Sequence, residues 1–235
     1  MPEATLAIEA SQASASVAVR RTPGAPVREL PVPAPERERD HLMAVIDAAF
    51  RAEGLSPADL GLVAVSCGPG GFTGLRVACA TAKALAESVG CRLVAVPSAL
   101  SAARALAALG RLPDGPCTVV LAAKGADAWC SEVTVSAGMP AERSAGLRDR
   151  LPDGPGPVVA DEHLPAAWTA EATRRGLVRP AWSAAACLAV GEALAASGGL
   201  ADPLRLGPVY PRPAEAVTLW EARHGGGNRP PGGTG

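Results

Sequence analysis

The sequence predicts a mixed α/β fold, and three observations carry that prediction. Short β-type runs at residues 5–8 and 15–19 flank a polar turn, Ser11-Gln12-Ala13-Ser14, and read as a hairpin. From about residue 60 the chain alternates strand, glycine-rich turn, helix and strand, the pattern of packed sheet and helix layers. A second pair of strand-like runs, 117–122 and 128–135, opens the other half. The two halves thus echo each other without a repeat of fixed period.

The elements follow in order. Pro23-Gly24-Ala25-Pro26 turns the hairpin into a third strand at 27–32. A first helix is predicted over 36–53, because Leu42, Val45, Ile46, Ala49 and Phe50 recur at helical spacing. Acidic residues open it, as the helix dipole favours, and Gly54 stands where a C-terminal cap belongs. Ser56-Pro57-Ala58-Asp59 has the cap, proline and acid of a short helical turn. Then come a buried strand at 62–67, a tight loop at 68–72, a helix at 73–89 ended by Gly90, and a strand at 92–96. Ser98 is placed to cap a helix over 99–109. Beyond the paired strands, 138–156 is rich in Gly, Pro and Arg and reads as irregular. A strand at 157–160 and helices at 165–175 and 182–196 follow. The Gly/Pro-rich end, 224–235, is expected to be disordered. This gives a first lobe over 1–105, a second over 106–223 and a tail over 224–235.

Composition narrows the function classes. The chain has 235 residues, enough for one or two compact units. It holds 50 alanines but only 3 % aromatic residues, so its helices must pack through small faces. The 22 basic and 23 acidic residues balance, which argues against strong unaided nucleic-acid binding. The start has no basic, then apolar, leader pattern, and no run approaches the ~18 apolar residues of a membrane span, so a cytoplasmic protein without membrane contact is expected. Six cysteines form no Cys-x-x-Cys pair, and His41, His163 and His224 have no ligand spacing. A zinc site is not expected, and the cysteines read as small buried hydrophobes.

The one sharp local feature is Gly68-Pro69-Gly70-Gly71-Phe72-Thr73-Gly74-Leu75-Arg76, between a strand and a helix. Free amides and a helix dipole often cradle phosphate at such a place. The run fails the Walker pattern, since Leu75-Arg76 follow Gly74, and fails the dinucleotide fingerprint, since Thr73 stands where a third glycine is needed. Two readings stay open: a tight turn that needs glycine, or a ligand or partner site. Ser66 lies in no nucleophile elbow, and no carboxylate pair has acid–base spacing.

The same nine residues resemble the G-P-G-S/G-F-T-G-L-R signature of the TsaB-type, or YeaZ-like, proteins, also called universal bacterial glycoprotease-like. Leu6-Ala7-Ile8-Glu9-Ala10-Ser11, Gly54-Leu55-Ser56, Ala82-Lys83-Ala84-Leu85-Ala86 and Pro208-Val209-Tyr210-Pro211-Arg212 resemble further family segments in the right order. Glu9 replaces the family's usual Asp. Ala122-Ala123-Lys124 stands where relatives carry Asp-Ala-Arg, so the second half is the divergent one.

The resemblance implies an actin-like ATPase/sugar-kinase (ASKHA) fold with two related lobes of mixed sheet and packed helices. It implies a non-catalytic subunit in tRNA modification. Such a subunit would bind a paralogous TsaD-type catalytic protein and work with a TsaE-type ATPase. Together they place threonylcarbamoyl, from threonylcarbamoyl-AMP, on the adenosine 3′ of the anticodon. ATP and metal are expected on those partners and not on this chain, with a homodimer possible and tRNA met only indirectly or weakly. The turn at Ser11–Ser14 has no glycine for close approach to a nucleotide, in keeping with that role. A self-sufficient ATP-dependent transferase or kinase is the alternative. Helices 36–53 and 73–89 are the implied partner surface, with Met43, Cys79 and Ala82 among its residues. A bulky charge at Cys79 or Ala82 is therefore expected to weaken the complex with little loss of fold. Arg76 could pair with Asp47 or Glu9 or reach across a subunit boundary. Thr73 is expected to cap helix 73–89, and Phe72 to anchor in the core.

Overall fold

The computed structural model describes residues 3–34 and 41–212. β1 (Ala4–Glu9), β2 (Ala15–Arg20) and β3 (Val27–Val32) form an antiparallel meander. β4 (Leu60–Gly68) and β5 (Arg92–Pro97) extend it in parallel on the other side of β1, giving the order β3-β2-β1-β4-β5. The second sheet repeats the scheme. β6 (Gly115–Lys124), β7 (Asp127–Ser136) and β8 (Met139–Arg148) are antiparallel, and β9 (Val158–Ala160) and β10 (Leu177–Val178) add in parallel beyond β6. Its order is β10-β9-β6-β7-β8, and read from the β8 edge it matches the first sheet strand for strand. The echo between the halves is therefore a duplicated topology.

β1 and β4 read as nearly unbroken apolar runs because both their faces are covered. Leu6, Ile8, Val17, Val19, Val63 and Val65 point to one side of the first sheet, where α1 (Leu42–Ala52) and α2 (Phe72–Val89) pack. Ala7, Ala18 and Ala64 point to the other, against α3 (Ser98–Ala108) and α5 (Ala184–Ala196). At these positions the period of two sends large side chains outward and small ones inward, while Leu62, Val94 and Val96 also face the inner core. The small ones allow close approach: a Cβ built on Gly191 of α5 would lie 2.3 Å from the Cβ of Ala64. The same core takes in Val119, Leu121, Val133 and Val135 of the second sheet, so the layer of α3 and α5 is shared by both sheets. α4 (Ala166–Arg174) covers the far face with Trp168 and Ala172. The order is helices, sheet, helices, sheet, helix.

Several boundaries differ from the sequence reading. The helix predicted over 36–53 is seen from Leu42 to Ala52, and its acidic start at 36–40 lies outside the described residues. The tail at 224–235 lies outside them as well. Residues 138–156, read as irregular, contain β8, a ten-residue edge strand paired along the length of β7. It has no β-branched residue and is half-exposed along most of its length, so its order comes from its neighbour and not from its own propensity. Ser98 does not cap α3. It is the first helical residue, and its hydroxyl pairs with Ser66 Oγ at 2.8 Å in the interior.

Candidate functional site

The glycine-rich loop leaves β4 at Gly68, whose φ of +107° only glycine adopts readily, and enters α2 at Phe72. It lies against the β1–β2 turn. A Cβ on Gly70 would stand 2.1 Å from the carbonyl oxygen of Ser11, and one on Gly74 would stand 2.4 Å from that of Ala10. Gly71 N–H donates to the same Ser11 oxygen at 2.7 Å. The bare faces of Gly70 and Gly74 thus meet this chain's own backbone. The turn that the sequence leaves without glycine is where the loop's glycines press. Gly71 occupies the N-cap position of α2 with no side-chain cap, and Thr73 is an exposed first-turn residue, not the cap.

Beside this contact Glu9, at the end of β1, is completely buried. Its carboxylate accepts from Ser11 N–H at 3.0 Å, from Ser11 Oγ at 2.5 Å and from Ser101 Oγ. Burial pushes its carboxyl above the usual range, and the hydrogen bonds from Ser101, Ser11 and Ser66 oppose that rise. Ser11, Ser66, Ser98 and Ser101 are all buried around it. The side chain that replaces the family's Asp is a satisfied core group without access to solvent.

Arg76 pairs with neither Glu9 nor Asp47. Its guanidinium lies 3.6 Å over the Phe72 ring, and its Nε donates to Tyr210 Oη at 2.9 Å. Asp47 instead pairs with Arg51 one turn on. Phe72 is no core anchor. It is about half exposed and stacks with Tyr210, ring centroids 5.2 Å apart. Pro69, within the loop, follows a cis peptide bond. The partnership of Tyr210 with the loop was not derivable from periodicity. The only signal was the order of the Pro208–Arg212 segment in the resemblance.

The remaining predicted surface residues divide. Met43 on α1 is exposed. Cys79 and Ala82 face the core of their own lobe at 3 % and 0 % exposure. A bulky charge at either would disrupt the fold first, contrary to the expectation. The outward side of α2 carries Arg76, Ala80, Ala84 and Glu87, and that of α1 carries Met43, Ala44, Asp47 and Ala48. Five of the six cysteines are buried, and burial pushes the thiols of Cys67 and Cys130 up to about 12. Among the described residues no group of three or more His, Cys, Asp or Glu could hold a metal ion. No described helix is long and apolar enough to cross a membrane.

Residues 30–132 match the model of the family described as TsaD: tRNA N6-adenosine threonylcarbamoyltransferase. Two solved structures from Pseudomonas aeruginosa share the fold. One is described as an uncharacterized protein with similarity to peptidase YEAZ. It has a TM-score of 0.70 and 18 % identity, over 89 % of this chain and 100 % of the other. The second is YeaZ, with a TM-score of 0.71 and 18 % identity, over 88 % and 99 % of the two chains. No curated protein matches the chain. The resemblance to the YeaZ-like proteins read from residues 68–76 is borne out, and with it the two-lobed ASKHA-like fold of those structures.

Proposed function

We propose that this chain is the non-catalytic subunit of the complex that moves threonylcarbamoyl from threonylcarbamoyl-AMP to the adenosine 3′ of the anticodon in tRNA. It binds and activates a TsaD-type catalytic subunit through the outer faces of α1 and α2, works beside a TsaE-type ATPase in the cytoplasm, and can pair with a second copy through the same faces. Nucleotide and metal sit on the partners, and tRNA is met indirectly or weakly.

One observation carries this reading: the glycine loop is closed on its own hairpin. A phosphate needs open backbone amides and room beside them. Here the Ser11 and Ala10 carbonyls fill the space beside Gly70 and Gly74, and Gly71 N–H is already paired. The carboxylate at the end of β1 is sealed among serines. What remains for function is surface. The outer layer of the first sheet is two helices whose outward faces carry Met43, Ala44, Ala48, Ala80 and Ala84 between the charged Asp47, Arg76 and Glu87, and the small residues make close helix–helix contact sterically easy. The alternative, a self-sufficient ATP-dependent transferase, would need the space that the loop and hairpin occupy.

The test is reconstitution with a TsaD-type protein, a TsaE-type protein, threonylcarbamoyl-AMP and tRNA, with and without this chain. Transfer that depends on the chain supports the reading. Transfer at full rate without it, or by the chain alone with ATP, refutes it.

A further inference from the structure

Residues 201–212 lie outside α1 and α2 and are fastened to the rest of the chain at several points. After α5 the segment reaches the edge of the first sheet, where Ala201 N–H donates to the Leu93 carbonyl of β5 at 2.7 Å. Leu206 is buried in the core beneath α2, and its carbonyl accepts from Lys83 Nζ at 3.2 Å. Val209 N–H donates to the Cys67 carbonyl at 2.7 Å, beside Gly68, and Tyr210 closes on Phe72 and Arg76. Arg212 then crosses to the second sheet. Its guanidinium donates to the carbonyls of Ala122 at 2.8 Å, Asp127 at 2.7 Å and Lys124 at 3.5 Å.

Those carbonyls are available for a physical reason. The β6–β7 ladder shifts register between Leu121 and Lys124, and Ala122 has a φ of +50°. A bulge of this kind turns backbone carbonyls out of the ladder, and they need other donors. An arginine's planar fork, with five donors on three nitrogens, reaches carbonyls spread along a bend, whereas a lysine offers three donors from a single nitrogen.

We propose that residues 206–212 are an interlobe clasp, with Val209 and Tyr210 holding the glycine loop of the first sheet and Arg212 holding the β6–β7 bend of the second. The sheets are already joined through the shared layer of α3 and α5. Two bodies joined along one layer can still rock about it, and a second attachment away from that layer removes the freedom. The clasp therefore fixes the angle between the lobes and with it the start of α2, next to the surface where Arg76 stands.

Amide hydrogen exchange on the full chain tests this. Arg212→Ala should raise exchange at least tenfold at Val209 and Gly71 as well as in the 122–127 bend, while the amides of β1 and α5 keep their protection. Tyr210→Ala reads the same coupling from the other end and should loosen the 122–127 bend. It also serves if the first variant fails to fold. Arg212→Lys should restore protection only in part. Faster exchange confined to the mutated end, with the other lobe's end as protected as in the wild type, would overturn the clasp. Full restoration by lysine would overturn the role of the fork.

Discussion

Gly70 lies so close to Ser11 that a methyl group on it would stand 2.1 Å from the Ser11 carbonyl oxygen. No side chain fits at that distance, and the neighbour is backbone that cannot swing aside. Glycine at this place in the loop is therefore explained by packing within the chain, with no ligand required.

Gly70→Ala should lower stability by about 1–3 kcal/mol or more, the usual range for forced overpacking. Gly74→Ala should do the same, since its methyl would meet Ala10 O at 2.4 Å. Gly71→Ala is the control, because its nearest neighbour would be 3.7 Å away, and it should cost under about 1 kcal/mol. Urea unfolding midpoints measure all three.

Glu9 gives a pH dependence with a definite sign. Its folded carboxyl binds a proton more tightly than the unfolded one, because burial disfavours the charge. The stabilisation from this group is complete below the ordinary carboxylate range. It is lost as pH rises toward the raised value, with a slope of at most about 1.4 kcal/mol per pH unit. Glu9→Gln removes that slope, so its stability relative to the wild type should increase as pH rises from about 4. Stability curves at several pH values, with and without the substitution, check this.

Gly191 and Ala64 should be coupled. Gly191→Ala forces two Cβ atoms to within 2.3 Å and should destabilise by about 1–3 kcal/mol. Ala64→Gly makes room, so the double variant should recover part of the loss. A double-mutant cycle reads the coupling, and simple additivity would mean that α5 moves away instead.

Cys91 should be the first thiol to react. It is half-buried, while Cys67, Cys79, Cys117, Cys130 and Cys187 are buried with their thiols pushed well up. A disulfide reagent should modify about one thiol quickly in the native chain and the rest only on unfolding.

Much of the first lobe was legible in the sequence because its signals are local. The hairpin, the stripe of Leu42, Ile46 and Phe50, and the glycine stops all follow from near neighbours. The second sheet was half legible. β8 was missed because its residues have little strand preference, and pairing with β7 supplies its order. At the candidate site the loop stood out, but its side chains were misjudged. The sequence places Phe72 inside, Arg76 either beside a carboxylate or across a subunit boundary, and Thr73 as a cap. In the fold Tyr210 holds the first two, from a segment far away in sequence. Cys79 and Ala82 were expected on the outside, because an alanine-rich helix shows no clear apolar face from which to tell in from out.

If the outer helices do the work, binding must fail when their exposed faces are altered. The chain is titrated calorimetrically with a TsaD-type protein, as wild type and with Met43→Asp or Ala84→Arg, both on the outward faces of α1 and α2. Either substitution should weaken binding at least about tenfold, roughly 1.4 kcal/mol, with unfolding temperatures unchanged. Unchanged affinity in both variants would mean that these helices do not do the work.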